Sequence, residues 1–296
     1  MTGREAGFLL LSSHLGDPER RVLTVPQLRT LGKRAKLLKR EDREMVAEDL
    51  IGIGYDRAMA ERILGLLSDM EQLRWYVKRG ERQGCVPVTR VSPAYPQVLK
   101  DRLGLESPGC LWAKGDLSLL AKPMVSLVGS RELNHQNREF AAEAGRQAAK
   151  QGYVLVSGNA RGADKTAQDA CLAAGGQVIS IVADSLESHR YDPNILYLSE
   201  DGFDLGFSSQ RALSRNRMIH ALGKLTLVAQ SNMGIGGTWD GTANNLKRNL
   251  SPVFCYHDGS DGIAELCRMG ATPIERESLF DLKNLQPDTL NFLAND

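Results

Sequence analysis

The amino-acid sequence predicts an α/β protein: a mostly parallel sheet with helices on both faces, preceded by a small helical domain. Three observations carry this. From Lys122 onward, short apolar runs alternate with helical stretches, the pattern of strands joined by helical crossovers. Glycine, at 29 of 296 residues, exceeds the ordinary share of about 7%, and many glycines fall where a strand gives way to a helix. The first third shows no such alternation and reads as helical. At roughly 150 residues per domain, this length fits about two domains.

Residues 1–82 are read as the helical domain. Lys33 to Lys39 is basic, and Glu41 to Leu50 mixes acidic and apolar residues at helical spacing. Ile51-Gly52-Ile53-Gly54 interrupts, and Tyr55 to Val77 resumes the pattern through Met59, Ile63, Leu66, Leu67, Met70 and Leu73. Helix, two-glycine turn, helix is similar to a helix-hairpin-helix or SAM-like module, whose turn amides can meet a DNA backbone. The same pattern also fits a plain helical packing domain. Residues 83–121, with Pro87, Pro93, Pro96 and Pro108, read as a strand-and-loop connector into the sheet domain.

The sheet domain is placed at residues 122–270. Its strands are Met124 to Val128, Tyr153 to Val156, Val178 to Val182, Leu225 to Val228 and Val253 to Tyr256. Its helices are Asn137 to Gln151, stopped by Gly152, Asp164 to Ala174, Gln210 to Leu222, Thr238 to Arg248 and Gly262 to Met269. The tail, residues 271–296, has little pattern.

Composition excludes several classes. No apolar run approaches the roughly 18 residues of a membrane helix, and the Phe8–Leu11 patch is too short for a signal peptide. A cytoplasmic protein without membrane association is expected. The five cysteines form no C-x-x-C pair, so zinc and redox motifs are missing and reduced thiols are expected. With 37 basic and 36 acidic residues, bulk charge does not attract nucleic acid; such a site must be a local patch.

In an open parallel sheet, ligands bind beyond the carboxyl ends of the strands. Three loops at that edge are unusual. Gly129-Ser130-Arg131 offers a tight turn, a hydroxyl and a guanidinium fork for phosphate oxygens. Ser157-Gly158-Asn159-Ala160-Arg161-Gly162-Ala163-Asp164 opens a helix whose free amides attract anions, with Arg161 and Lys165 adding charge. Gly236-Gly237-Thr238 opens another helix. Arg211, Arg215, Asn216 and Arg217 suit phosphate or sugar contacts. On a helix Arg215 and Arg217 lie on different faces, so one of the two is expected to pair with a carboxylate. Asp164 also fits a plain capping role. Neither a P-loop nor a G-x-G-x-x-G fingerprint is present. The five histidines show no ligand spacing, and no G-x-S-x-G elbow occurs. Asp184, Asp192 and Asp240 are the acids near the sheet edge, where capping is the commoner role.

These motifs together resemble the DprA/Smf family. Gly129-Ser130-Arg131, Val156-Ser157-Gly158 with Ala160, Gly162 and Asp164, then Tyr191, Pro193 and Asn194, then Arg215-Asn216-Arg217-Met218-Ile219 follow that family's order. Tyr95-Pro96, Leu99, Pro108, Leu111-Trp112 and Gly115 are similar to the stretch preceding its nucleotide-fold domain. The likeness covers about residues 83–271. It implies a Rossmann-like domain of the SLOG type, single-stranded DNA binding without catalysis or cofactor, a homodimer, and handover of DNA to the RecA recombinase. Arg131, Arg161, Arg215, Asn216 and Arg217 match the family's motif positions. Phe203, Phe207 and Trp239 are candidate platforms for stacking bases, although the core is the commoner place for them.

Two departures keep other readings open. Gln168 stands where the family has histidine, and Gly236-Gly237-Thr238-Trp239-Asp240 replaces its S-G-S-L-I-T-A segment. The Gly-Gly-Thr turn is similar to that of nucleotide phosphoribohydrolases, whose catalytic glutamate has no counterpart here. A nucleotide sensor or hydrolase, and a defence or antitoxin component holding a protein partner, are the alternatives. The stretch after the sheet domain is expected to be too short for the winged-helix module of many family members.

Overall fold

The computed structural model describes residues 1–38, 44–200 and 202–287. The helical domain contains α1 (Gly3–Ser12), α2 (Val25–Arg34), α3 (Ala47–Gly52), α4 (Arg57–Ser68) and α5 (Met70–Arg82). The Phe8–Leu11 patch is therefore part of a helix, started by a Thr2/Glu5 capping box. The helix expected over Tyr55 to Val77 is two, broken at Asp69, which takes an ion pair from Arg20. Of the helix expected over Glu41 to Leu50, residues 39–43 lie outside the described residues, Glu44 to Val46 are not helical, and α3 supplies the rest.

The sheet has nine strands: β1 (Cys85–Thr89), β2 (Cys110–Lys114), β3 (Met124–Val128), β4 (Val154–Ser157), β5 (Gln177–Ile181), β6 (Ile195–Glu200), β7 (Thr226–Val228), β8 (Val253–Tyr256) and β9 (Thr272–Ile274). Their spatial order is β1-β2-β6-β5-β4-β3-β7-β8-β9. β2 runs antiparallel to β1 and to β6; every other pair is parallel. The stretch expected to be a connector is thus part of the sheet, supplying β1, β2 and the short helix α6 (Gln97–Leu103). The tail adds β9 and a 3-10 helix, Arg276–Asn284, whose Leu279 and Leu282 are buried. Both edge strands carry a proline, Pro87 and Pro273, where a missing amide removes no ladder bond and discourages edge pairing.

Side-chain alternation builds both layers. On β3, Val125 and Leu127 pack under α7 (His135–Lys150) and α8 (Ala163–Ala173). Met124 and Val128 pack on the opposite face, with α6, α9 (Ser209–Leu222) and α11 (Asp261–Arg268). α10 (Gly236–Arg248) completes that layer. The helical domain docks at the β1–β2 end through Leu9, Tyr76, Trp112 and Phe203. From β3 the chain builds outward through β4 to β6, then returns to β3's other side with β7. That reversal opens a crevice at the carboxyl ends of β3 and β7.

Candidate nucleic-acid interface

Three loops meet at this crevice, and their backbones are knitted together. Ser130 donates its amide to Gln230 O at 3.1 Å, and Ala163 donates to Ser130 O at 3.1 Å. Gly162 makes the approach possible: its φ is +89°, and a Cβ there would lie 2.4 Å from the carbonyl oxygens of Ser130 and Arg131.

Asp164 staples the second loop from inside. Its Oδ2 accepts from the amides of Gly158 at 3.1 Å and Ala160 at 3.2 Å. Burial raises its pKa, while the Arg215 charge and the two amides pull the other way. Arg215, on α9, is only 8% exposed. Its guanidinium lies against Gly158, where an added Cβ would fall 1.3 Å from Nη1. Among the described residues, its Nε and Nη1 have no hydrogen-bond partner. A buried cation with orphaned donors is costly unless something answers it.

Two clefts join at Arg131, Ala160 and Arg215. One, of about 440 Å³, lies between the end of β3, α9 and the start of α10, with Ser130, Asn216 and Gly237 in its wall. The other, of about 330 Å³, surrounds Asn159, Arg161, Asp184 and Phe207. α10 begins without a side-chain cap, and Gly236, Gly237 and Thr238 of its first turn line the first cleft. Its first amides and dipole favour an anion there. Asn216 ties α9 to this turn by donating to Gly237 O at 3.0 Å.

The expected site residues divide into two groups. Gly129, Ser130, Arg131, Gly158, Asn159, Arg161, Arg215, Asn216, Gly236, Gly237 and Thr238 line one cleft or both, and Gly162 holds the loops. Arg131 is exposed, and its side chain makes no ion pair among the described residues. Arg161 pairs with Glu132 at 3.1 Å and Lys165 with Asp169 at 2.8 Å, all four well exposed, so these pairs open at little cost. Lys165 lines neither cleft.

Three assignments are corrected. Ser157 is fully buried, and its hydroxyl accepts from Gln168 Nε2 at 2.6 Å; the glutamine found in place of histidine packs the ends of β4 and β5. Arg211 is spent on the backbone, donating to the carbonyls of Ala183 at 2.7 Å, Leu205 at 2.9 Å and Gly206 at 2.7 Å, and to Ser199 Oγ at 2.7 Å. Arg217 forms a largely buried ion pair with Glu200 and donates to Glu106 O at 3.1 Å; it is the structural partner that the helical phase required. Among the aromatics, Phe203 is buried and Trp239 packs against the core, whereas Phe207 is 61% exposed in the second cleft. No motif marked the apolar lip of the first cleft, Leu213 and Ile235, 51% and 72% exposed.

In the turn between α3 and α4, the amides of Ile53, Gly54 and Tyr55 all donate to Leu50 or Ile51 carbonyls, so these three are not free for a phosphate. Asp184 is committed to His189 at 3.0 Å, which holds its carboxyl below the ordinary range. Among the described residues, no group of three His, Cys, Asp or Glu side chains is placed to hold a metal, and no helix is long and apolar enough to cross a membrane.

Fold and site together define a Rossmann-like α/β protein with a cationic, amide-lined crevice at its topological switch point. The family model for DNA recombination-mediator protein A matches residues 87–282, and the chain belongs to that family. It is 33% identical over 181 residues to DNA processing protein DprA of Streptococcus pneumoniae, an alignment spanning 56% of this chain and 63% of that protein. The match therefore spans less than two thirds of that relative's length. The crystal structure of the S. pneumoniae protein superposes with a TM-score of 0.72 at 24% identity, covering 97% of this chain and 99% of that one. DNA processing protein A of Helicobacter pylori, whose structure is described for its single-stranded DNA binding mode, superposes with a TM-score of 0.55 at 25% identity, covering 67% and 94%.

Proposed function

We propose that this chain binds single-stranded DNA without catalysis, through the switch-point crevice, and acts in DNA recombination as a homodimer that hands the strand to RecA. One observation carries the reading. Arg215 is buried with two unanswered donors in the wall shared by both clefts, and a phosphate oxygen supplies what they lack. Arg131, Arg161 and the first turn of α10 extend the anion-binding surface. Phe207 gives a base a ring to stack on. Asp164, the one carboxylate lining the first cleft among the described residues, is engaged with two amides, which supports binding without hydrolysis.

The test is fluorescence anisotropy with labelled single and double strands over a salt series, comparing wild type with Arg131→Ala and Arg215→Lys. Single strands are expected to bind preferentially and both variants to bind them more weakly. Wild-type affinity in both variants would sink the assignment. Because the first cleft is about 440 Å³, within the range of small-ligand sites, calorimetry with nucleoside monophosphates is the companion measurement. Nucleotide binding without strand binding would favour a sensor.

A further inference from the structure

A larger cleft lies away from the switch point, on the helical domain. It has a volume of about 780 Å³ and runs between α1, α2, α3 and α4 on one side and residues 90–91 and 100–105 on the other. Its floor is aliphatic: Leu11, Leu50 and Ile63 are buried there. Leu28 and Leu31 of α2 are only partly buried against them, and no residue of α2 is fully buried. A ten-residue helix with an apolar stripe left half-covered is a surface awaiting a partner.

Among the described residues the rim is charged with one sign: Arg4, Arg29, Arg90 and Lys100 line the cleft, and no described acidic residue does. Among the described residues, none of the four makes an ion pair; Lys100 lies only over the Tyr95 ring, 5.3 Å from its centroid. Some arginines elsewhere pair with carboxylates, as Arg57, Arg146, Arg248 and Arg268 do. In a chain with nearly equal acids and bases, four cations around an apolar trough, with no described carboxylate lining it, select a negative partner.

We propose that this cleft docks an acidic amphipathic helix from a partner protein. Its apolar stripe would fill the trough beside Leu28 and Leu31, and its flanking carboxylates would meet Arg4, Arg29, Arg90 and Lys100. A nucleic-acid strand suits the site less well, because the floor is aliphatic and, among the described residues, Phe8 is the one ring in the lining.

The test uses the full chain and labelled peptides of about 15 residues, the length at which isolated helices become viable. One peptide places leucine at helical spacing between glutamates, a second scrambles it, and a third replaces glutamate by lysine. The first is expected to bind, with the other two at least about tenfold weaker. Arg29→Glu, at an exposed position, is expected to weaken the first by up to about fivefold, and Leu105→Asp more strongly. A saturating single-stranded oligonucleotide leaves the peptide bound. Equal binding by the scrambled peptide, no binding by the acidic one, indifference to both substitutions in folded protein, or displacement by the oligonucleotide each overturns the proposal. Thermal melts establish that the variants fold.

Discussion

Gly158→Ala tests the buried arginine without removing its charge. A Cβ at this position would lie 1.3 Å from Nη1 of Arg215, 2.2 Å from Cζ and 2.4 Å from Nη2. No adjustment within the seat relieves three such overlaps, so the guanidinium must leave it. A guanidinium out of register with a phosphate forfeits a charge-assisted hydrogen bond worth about 1.5–3 kcal/mol, or roughly ten- to hundredfold in Kd. Losing one phosphate contact also flattens the salt dependence on single strands by about 0.7 in the slope of log K against log salt. Overpacking costs the fold about 1–3 kcal/mol, so affinity is compared below the melting transition. Anisotropy over a salt series reads Kd and slope together. Arg215→Lys serves as reference, because it keeps the charge but loses the fork. A folded Gly158→Ala protein with unchanged or tighter binding and an unchanged slope would refute the role assigned to Arg215.

Three further outcomes are expected. Arg161→Ala weakens strand binding less than Arg131→Ala, since Arg161 must first leave Glu132; the reverse order in anisotropy would count against this. Arg211→Lys costs stability of about 2–4 kcal/mol, because one ammonium cannot reach the carbonyls of Ala183, Leu205 and Gly206 together with Ser199; urea midpoints and proteolysis near Leu205 read this. Burial holds His220 down to about 4. The folded imidazole thus stays neutral while the unfolded one takes a proton below its ordinary value near 6.5. Stability therefore falls as pH drops from about 6.5 toward 4, by up to about 3 kcal/mol, and His220→Gln flattens that slope.

The sequence made the parallel part of the sheet legible because its signals are local. Runs such as Met124–Val128 and Val253–Tyr256 are apolar on both faces, and glycines such as Gly152 stop the helices between them. β1 and β2 were hidden because Pro87 and the prolines around them suggest loops, while edge and antiparallel strands need no long apolar run. β6 mixes Tyr197, Ser199 and Glu200 into its pattern and was missed for the same reason. Within the site, the phase of α9 separates Arg215 from Arg217, so their different fates were readable. Arg211 was not readable, because its partners are mainly backbone carbonyls, which leave no residue pattern. Ser157 was misjudged because a motif position does not say which way a hydroxyl points.

The near balance of 37 basic and 36 acidic residues constrains how the proposed strand would be held in this crevice. Bulk attraction is absent, so affinity must come from the few cations that structure leaves uncommitted. Arg211 and Arg217 are excluded by their partners. Arg131 and Arg215 remain, with Arg161 available once its exposed pair opens. At about 0.7 per phosphate on single strands, two to three contacts give a slope of about −1.4 to −2.1 for log K against log salt. The α10 amides add affinity but release no counterions of their own. A measured slope in that range, reduced by about one contact in Arg131→Ala, fits a short crevice-bound segment. A slope near −5 would require cations outside the crevice, and the unpaired rim beside α2 would be the first place to look, at the expense of the peptide-docking role assigned to it.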